Sequence, residues 1–141
     1  MAQTLSQVMS QNVISCSPNQ TLKDAAQIMS QHNIGSLPVV EDGQLLGMIT
    51  DRDITLRSTA KGKDDDTTTV AECMTSHSLV YGTPDMDVHE AAHLMSDQQI
   101  RRLPVVDQDR VVGIVALGDL ATEDQYQNEA GEALSGISSR H

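Results

Sequence analysis

The sequence predicts an α+β fold: two copies of a β-α-β-β-α unit, packed through their sheets about a pseudo-twofold axis. Three observations carry this expectation. The chain repeats itself at an offset of 66 residues, each copy holds an apolar stripe at helical spacing, and each stripe is followed by two apolar runs around a polar turn. Pro18 matches Pro84, Ala25-Ala26 matches Ala91-Ala92, and Met29 matches Met95. Leu37-Pro38-Val39-Val40 matches Leu103-Pro104-Val105-Val106, and Gly47 matches Gly113. Upstream, Val13-Ile14 aligns with Leu79-Val80, whereas Met9 pairs with Met74 at an offset of 65. One additional residue therefore lies near Ser76–Ser78.

Each copy opens on a short apolar stretch, Val13–Cys16 or Leu79–Tyr81, followed by a proline-containing turn. Leu22, Ala25, Ala26 and Met29 then fall at i, i+3, i+4 and i+7, the core face of an amphipathic helix, and Val88, Ala91, Ala92 and Met95 copy it. Leu37–Val40, the turn at Glu41-Asp42-Gly43 and Leu45–Ile49 read as a hairpin. Its counterpart is Val105-Val106, the turn Asp107–Arg110 and Val111–Val115. A second helix is expected near Asp51 and near Gly118. The expected division is residues 4–57 as the first repeat, 58–69 as a linker, 70–121 as the second repeat and 122–141 as a polar tail. That tail has two readings, a short helix with a loose end or a dimer contact. One half of about 50 residues buries too little apolar surface to be comfortable alone, so the two copies are expected to share a core.

Composition narrows the partners. There is no Phe or Trp and only Tyr81 and Tyr126 are aromatic, so the interior is built from aliphatic residues and gap-filling methionines, of which the chain has seven. With 20 acidic residues against 9 basic ones and a net charge of -11, non-specific nucleic-acid binding is not expected. No apolar run approaches the roughly 20 residues that span a bilayer. The start of the chain has neither a basic nor an apolar leader region, which points to the cytoplasm. Cys16 and Cys73 show no C-x-x-C spacing; the plain reading is two buried, reduced side chains, the alternative a redox pair.

The most informative segment runs from Gly47 to Asp53. Thr50 stands where the strand ends and a helix starts, with Asp53 three residues on. As structure, this is a capping-box variant. As chemistry, the same helix start offers free N–H groups to a phosphate, with the Thr hydroxyl beside it and a carboxylate able to accept both hydroxyls of a ribose. The second copy keeps Asp119 but replaces the Thr with Ala116, so the hydroxyl is dispensable to the fold. Both readings stand at this point.

These residues give the chain a family resemblance. The two L-P-V-V segments and the G-x-x-T-x-x-D heptapeptide, each in its place in a duplicated β-α-β-β-α unit, resemble the paired cystathionine-β-synthase (CBS) domains, or Bateman module, of the small stand-alone bacterial type. The resemblance covers roughly residues 4–121. It implies adenine nucleotides, AMP, ADP or ATP, or another adenosine-containing metabolite, held in clefts between the repeats. Carried onto this chain, the stronger site would use Thr50 and Asp53 for phosphate and ribose, Ser78, Leu79 and Val80 for the adenine, and Arg101 and Arg102 for the phosphates. The weaker site would use Val13, Ile14, Ser15, Ser36 and Asp119, with Gly35-Ser36 standing where the arginines stand in the other copy. The resemblance further implies a non-catalytic ligand-sensing module that needs no cofactor, forms a homodimer and acts on a regulated protein partner. A constitutive interaction scaffold without nucleotide is the alternative.

His89-Glu90-Ala91-Ala92-His93 spells H-E-x-x-H, the helix motif of zinc proteases. The first copy reads Lys23-Asp24-Ala-Ala-Gln27 there, and the core stripe turns both histidines toward solvent, so neither catalysis nor a metal is expected and a zinc-dependent hydrolase through His89 and His93 stands only as the least favoured alternative. Six of the nine basic residues (Arg52, Arg57, Lys61, Lys63, Arg101 and Arg102) fall in two short segments, beside the complete phosphate site that the resemblance implies.

Overall fold

The computed structural model describes residues 3–121; the polar tail, 122–141, lies outside the described residues. The elements run α1 (Leu5–Val8), α2 (Leu22–His32), β1 (Ser36–Glu41), β2 (Gln44–Thr50), α3 (Asp51–Arg57), a 3-10 turn at Thr59–Lys61, α4 (Val70–Cys73), α5 (Val88–Gln98), β3 (Arg102–Asp107), β4 (Arg110–Ala116) and α6 (Leu117–Ala121). The fold is mixed helix and strand, with two antiparallel two-stranded sheets, β1-β2 and β3-β4.

The helices start and stop where side chains satisfy the end groups. Thr21 accepts from Asp24 N at 3.1 Å while the Asp24 carboxylate accepts from Thr21 N at 3.2 Å, which opens α2. Asn33 closes it in the left-handed region at φ 53, and Gln99 closes α5 at φ 57. α2 buries Leu22, Ala25 and Met29, and α5 buries Val88, Ala91, Ala92 and Met95. Ala26, expected on the core face, is exposed, whereas its counterpart Ala92 is buried. The difference follows from the residue that opens the second helix. The second copy carries Leu117, which is buried in the same cluster as Ala92, where the first carries the exposed Asp51.

Both hairpins share one register, with Leu37 opposite Ile49 and Leu103 opposite Val115, and both slip by a residue after Val39 or Val105. The turns are two residues long with both φ values positive, Asp42 (53) and Gly43 (81) in one, Gln108 (51) and Asp109 (66) in the other. The expected first strand of each copy contracts to a single parallel bridge. Cys16 bonds Pro38 O and Val40 N at 3.1 and 2.8 Å, and Gly82 bonds Pro104 O and Val106 N at 2.9 and 2.8 Å. In the first copy, Pro18 lies two residues beyond the bridge and leads the chain away.

The chain divides into two compact units, residues 14–79 and residues 3–13 with 80–121. These units are cut differently from the sequence repeats. α1 opens the first repeat in sequence but folds with the body of the second, and α4 opens the second but folds with the body of the first. In one unit, Val70 and Ala71 donate to Gln20 O and Pro18 O at 2.8 and 3.1 Å; in the other, Leu5 and Ser6 donate to Met86 O and Pro84 O at 2.9 and 3.0 Å. The residues read as a linker fold onto the first unit. Leu22 N donates to Thr68 O at 2.9 Å, and Ser58, fully buried, donates to the Asp65 carboxylate at 2.6 Å.

After each short helix the chain crosses the outer strand of the hairpin. Thr75 exchanges two backbone hydrogen bonds with Met48, and Ser10 does the same with Ile114. This covers strand edges that would otherwise stay open. Only glycine fits beneath: a Cβ on Gly47 would lie 2.7 Å from Thr75 O and 2.9 Å from Met74 Sδ. At Gly113 a Cβ would meet Met9, its Cγ at 2.9 Å, and Ser10 O at 3.0 Å. Gly47→Ala and Gly113→Ala are therefore each expected to destabilise the protein by about 1–3 kcal/mol, measured by urea denaturation, since overpacking against backbone relaxes poorly. Asp109→Gly is expected to stabilise by about 1 kcal/mol in the same assay, because glycine adopts the left-handed region without the Cβ cost.

Candidate functional site

β2 hands directly to α3 at Thr50. Asp51 N donates to Gly35 O at 3.0 Å, and the sheet register sets Ser36 opposite Thr50. The Thr50 hydroxyl accepts from Asp53 N, and Asp53 Oδ2 accepts from Thr50 N, both at 3.0 Å. The capping box is complete. Asp53 Oδ1 takes no part in it and lies 3.8 Å from Arg57 Nε, with the carboxylate side chain only 15% exposed. Arg57 itself reaches past α3, donating from Nη1 to Cys73 O at 3.0 Å and Met74 O at 3.3 Å.

The second unit keeps half of this arrangement. Leu117 N donates to Arg101 O at 2.8 Å, Arg102 stands opposite Ala116, and Asp119 Oδ2 accepts from Ala116 N at 3.0 Å. Retention of both aspartates thus has a structural cause: each caps the N–H at the strand-to-helix junction, with or without a hydroxyl. Asp119 is exposed, more so than Asp53.

The residues singled out from the sequence divide between the units. Thr50, Asp53, Ser78, Leu79, Ile14, Ser15 and Ser36 belong to one; Val80, Arg101, Arg102, Val13 and Asp119 belong to the other. Within the first, Thr50 and Asp53 are bonded to each other and Ser36 lies across the sheet from Thr50. Within the second, the Arg101-Arg102 pair lies against the start of α6, where Asp119 sits. Ser78 is exposed with φ 53, Arg101 is exposed, and Val13, Ile14, Ser15, Leu79, Val80 and Arg102 are half-buried.

Two features escaped the sequence reading. One is the pairing of Arg57 with Asp53 and the end of α4: the sequence places Arg57 only among the cations beside the implied phosphate site, and the pairing itself is signalled only by the i, i+4 spacing from Asp53. The other is an open groove of about 490 Å³ between α2 and α3, lined by Ala26, Met29, Asn33, Gly35, Asp51 and Thr55 among others. Gly35 and Asp51 line it where the second copy carries Arg101 and the buried Leu117. Asp51, and not Asp53, faces it.

His93 is exposed as expected, but His89 is half-buried, a correction to the reading of both as solvent-facing. The first turn of α5 holds it, with His89 N donating to the Asp87 carboxylate at 2.7 Å. Among the described residues, no group of three or more His, Cys, Asp or Glu side chains is placed to hold a metal. No helix among them is long and apolar enough to cross a membrane. Cys16 and Cys73 are free and buried. Burial pushes the Cys16 thiol up to about 11. Burial also raises Cys73, against the opposing pull of the Lys63 charge.

The repeated hairpin-and-helix units with a capped aspartate at each strand-to-helix junction define a paired-repeat module. The CBS-domain family model matches residues 5–58 and 69–125, and the chain belongs to that family. A CBS domain-containing protein of Bacillus subtilis, YhcV, is 55% identical over 130 residues, 92% of this chain and 91% of the relative. Hypoxic response protein 1 of Mycobacterium tuberculosis is 38% identical over 84% of this chain and 82% of its own length. The crystal structure of Hypoxic Response Protein I with two coordinated zinc ions superposes with a TM-score of 0.78 at 36% identity, covering 86% of this chain and 98% of that one. The CBS domain pair of protein MJ0100 in complex with 5′-methylthioadenosine and S-adenosyl-L-methionine superposes with a TM-score of 0.74 at 34% identity, covering 86% and 95%.

Thr50→Ala removes one of the two box bonds and is expected to cost about 1 kcal/mol, whereas Ala116→Thr should recover a similar amount, both read from denaturant midpoints. Stability should also fall with rising pH between about 9 and 11. The Cys16 thiol is held above its ordinary value of 9.0, so the unfolded chain loses that proton first. Cys16→Ser, or denaturation followed across that range, checks the slope.

Proposed function

We propose that this protein is a non-catalytic sensor that binds an adenosine-containing small molecule, with adenine nucleotides as the ligand class, and passes its occupancy to a regulated protein partner. It acts in the cytoplasm as a homodimer. The observation that carries the reading is the Asp53 carboxylate: Oδ2 is committed to the cap, while Oδ1 remains an acceptor directed away from it. A carboxylate fixed in this way suits the two vicinal hydroxyls of a ribose, because the cap has already removed its rotamer freedom. Membership of a family in which a relative is solved with two adenosyl compounds supports the same ligand class.

Thr50, Asp53, Ser78, Leu79, Val80, Arg101 and Arg102 form the stronger group, and Val13, Ile14, Ser15, Ser36 and Asp119 the weaker. Arginines suit phosphate oxygens through their planar fork, and this chain concentrates its few cations in two segments. The mechanism is a population shift: ligand favours the arrangement it binds more tightly, in proportion to that difference.

Calorimetry and thermal shift with AMP, ADP, ATP, NAD, S-adenosylmethionine and adenosine test this. A binding member at 100 times its Kd should add about 2.7 kcal/mol of stability. Asp53→Asn, which keeps a cap acceptor but loses the charge, should weaken the tighter site at least tenfold, a loss of about 1.4 kcal/mol. Asp119→Asn should matter less. Silence across the panel would favour a constitutive scaffold, and equal effects of the two substitutions would overturn the asymmetry.

A further inference from the structure

Arg57 lies outside the motif, yet it faces the motif's carboxylate and also binds the end of α4. Its Nε is 3.8 Å from Asp53 Oδ1, one helical turn earlier. Its Nη1 donates to Cys73 O at 3.0 Å and to Met74 O at 3.3 Å, carbonyls at the end of α4 that have no helical partner of their own. In return the Cys73 thiol lies 3.9 Å from Arg57 O. Met74 then covers Gly47, and Thr75 exchanges hydrogen bonds with Met48 at 2.8 and 2.9 Å, two residues before Thr50.

These contacts close a ring, from Asp53 through Arg57, the end of α4, Thr75 and Met48 back to Thr50 and Asp53. All of it lies within residues 14–79, and Leu79, four residues past Thr75, is where the chain leaves this unit. An exposed ion pair alone holds little. A guanidinium that faces a carboxylate with one nitrogen and binds two carbonyls with another joins two segments through a rigid fork, whereas a lysine must place all its donors on one atom. The repeat offset places Glu123, an acceptor in place of a donor, at the counterpart position in the sequence, outside the described residues.

We infer that Arg57 is a positioning residue for Asp53 that couples this carboxylate to the strand-crossing segment at residues 73–75. Its regulatory meaning rests on the functional reading above. Ligand hydroxyls bound to Asp53 Oδ1 act on the same oxygen that faces Arg57, so occupancy changes how firmly residues 73–75 are held, and the reverse holds by linkage.

The test is a double-mutant cycle on the full chain without ligand, read as amide hydrogen exchange of Thr75 and Met48 relative to the slowest amides of the same unit. Asp53→Asn keeps the cap acceptor and should speed Thr75 exchange about threefold or more in the native background, and have almost no effect when Arg57→Met is present. Arg57→Lys, which retains the charge without the fork, should match Arg57→Met at Thr75. The same acceleration in both backgrounds, or none in either, would overturn the coupling. AMP added to the native protein should then change Thr75 exchange, and this response should vanish in Arg57→Met. If AMP does not bind, the same arm is run with the member of the panel that does; if none binds, the nucleotide reading fails, and the ligand-free cycle still decides the Asp53–Arg57 link.

Discussion

Both units depend on a segment crossing a glycine. At Gly47 and at Gly113 a methionine and the backbone behind it lie so close to the outer strand that no Cβ fits between them. That approach lets a single pair of backbone hydrogen bonds cap each hairpin edge, and it brings the preceding short helix against the start of the long one. A two-stranded hairpin with one buried face is marginal by itself. Here it is completed on one side by a single bridge, at Cys16 or Gly82, and on the other by the crossing segment. Each crossing segment comes from the start of the other repeat, so neither repeat, cut at its sequence boundaries, contains everything its core requires.

The same constraint shapes the junction at Thr50. Residues 73–75 fix β2 in place and receive the Arg57 side chain, while β2 in turn sets where Thr50 ends the strand and Asp53 begins its work. Capping and the proposed ligand binding are therefore compatible uses of one carboxylate: Oδ2 holds the helix start, and Oδ1 lies beside a guanidinium. The second unit shows the stripped form of the junction, with Asp119 still capping Ala116 N but without the hydroxyl. The two halves thus share a scaffold and differ in chemistry.

Much of this was legible in the residues. The offset between Pro18 and Pro84 and the helical spacing of Leu22, Ala25 and Met29 place helices and hairpins where they occur, because periodic burial leaves a periodic sequence. The Thr50–Asp53 box was legible too, as a spacing of three. The pairing of Met9 with Met74 at a shifted offset was visible, but its meaning was not, since which strand a short helix covers is decided by packing far along the chain. Ala26 was misplaced for a similar reason: an alanine is buried or exposed according to its neighbour, and Asp51 against Leu117 decides it. The reach of Arg57 to the end of α4 was hidden because those partners are backbone carbonyls, which leave no mark on side-chain sequence.

The most direct measurement is a crystal structure of the protein grown with AMP. The ribose hydroxyls should lie within hydrogen-bond distance of Asp53 Oδ1, with the bond from Thr50 N to Oδ2 intact. AMP seated away from Asp53, for instance against Asp51 in the groove between α2 and α3, or an Asp53 carboxylate that leaves its cap to reach the ligand, would contradict the dual role assigned to that residue.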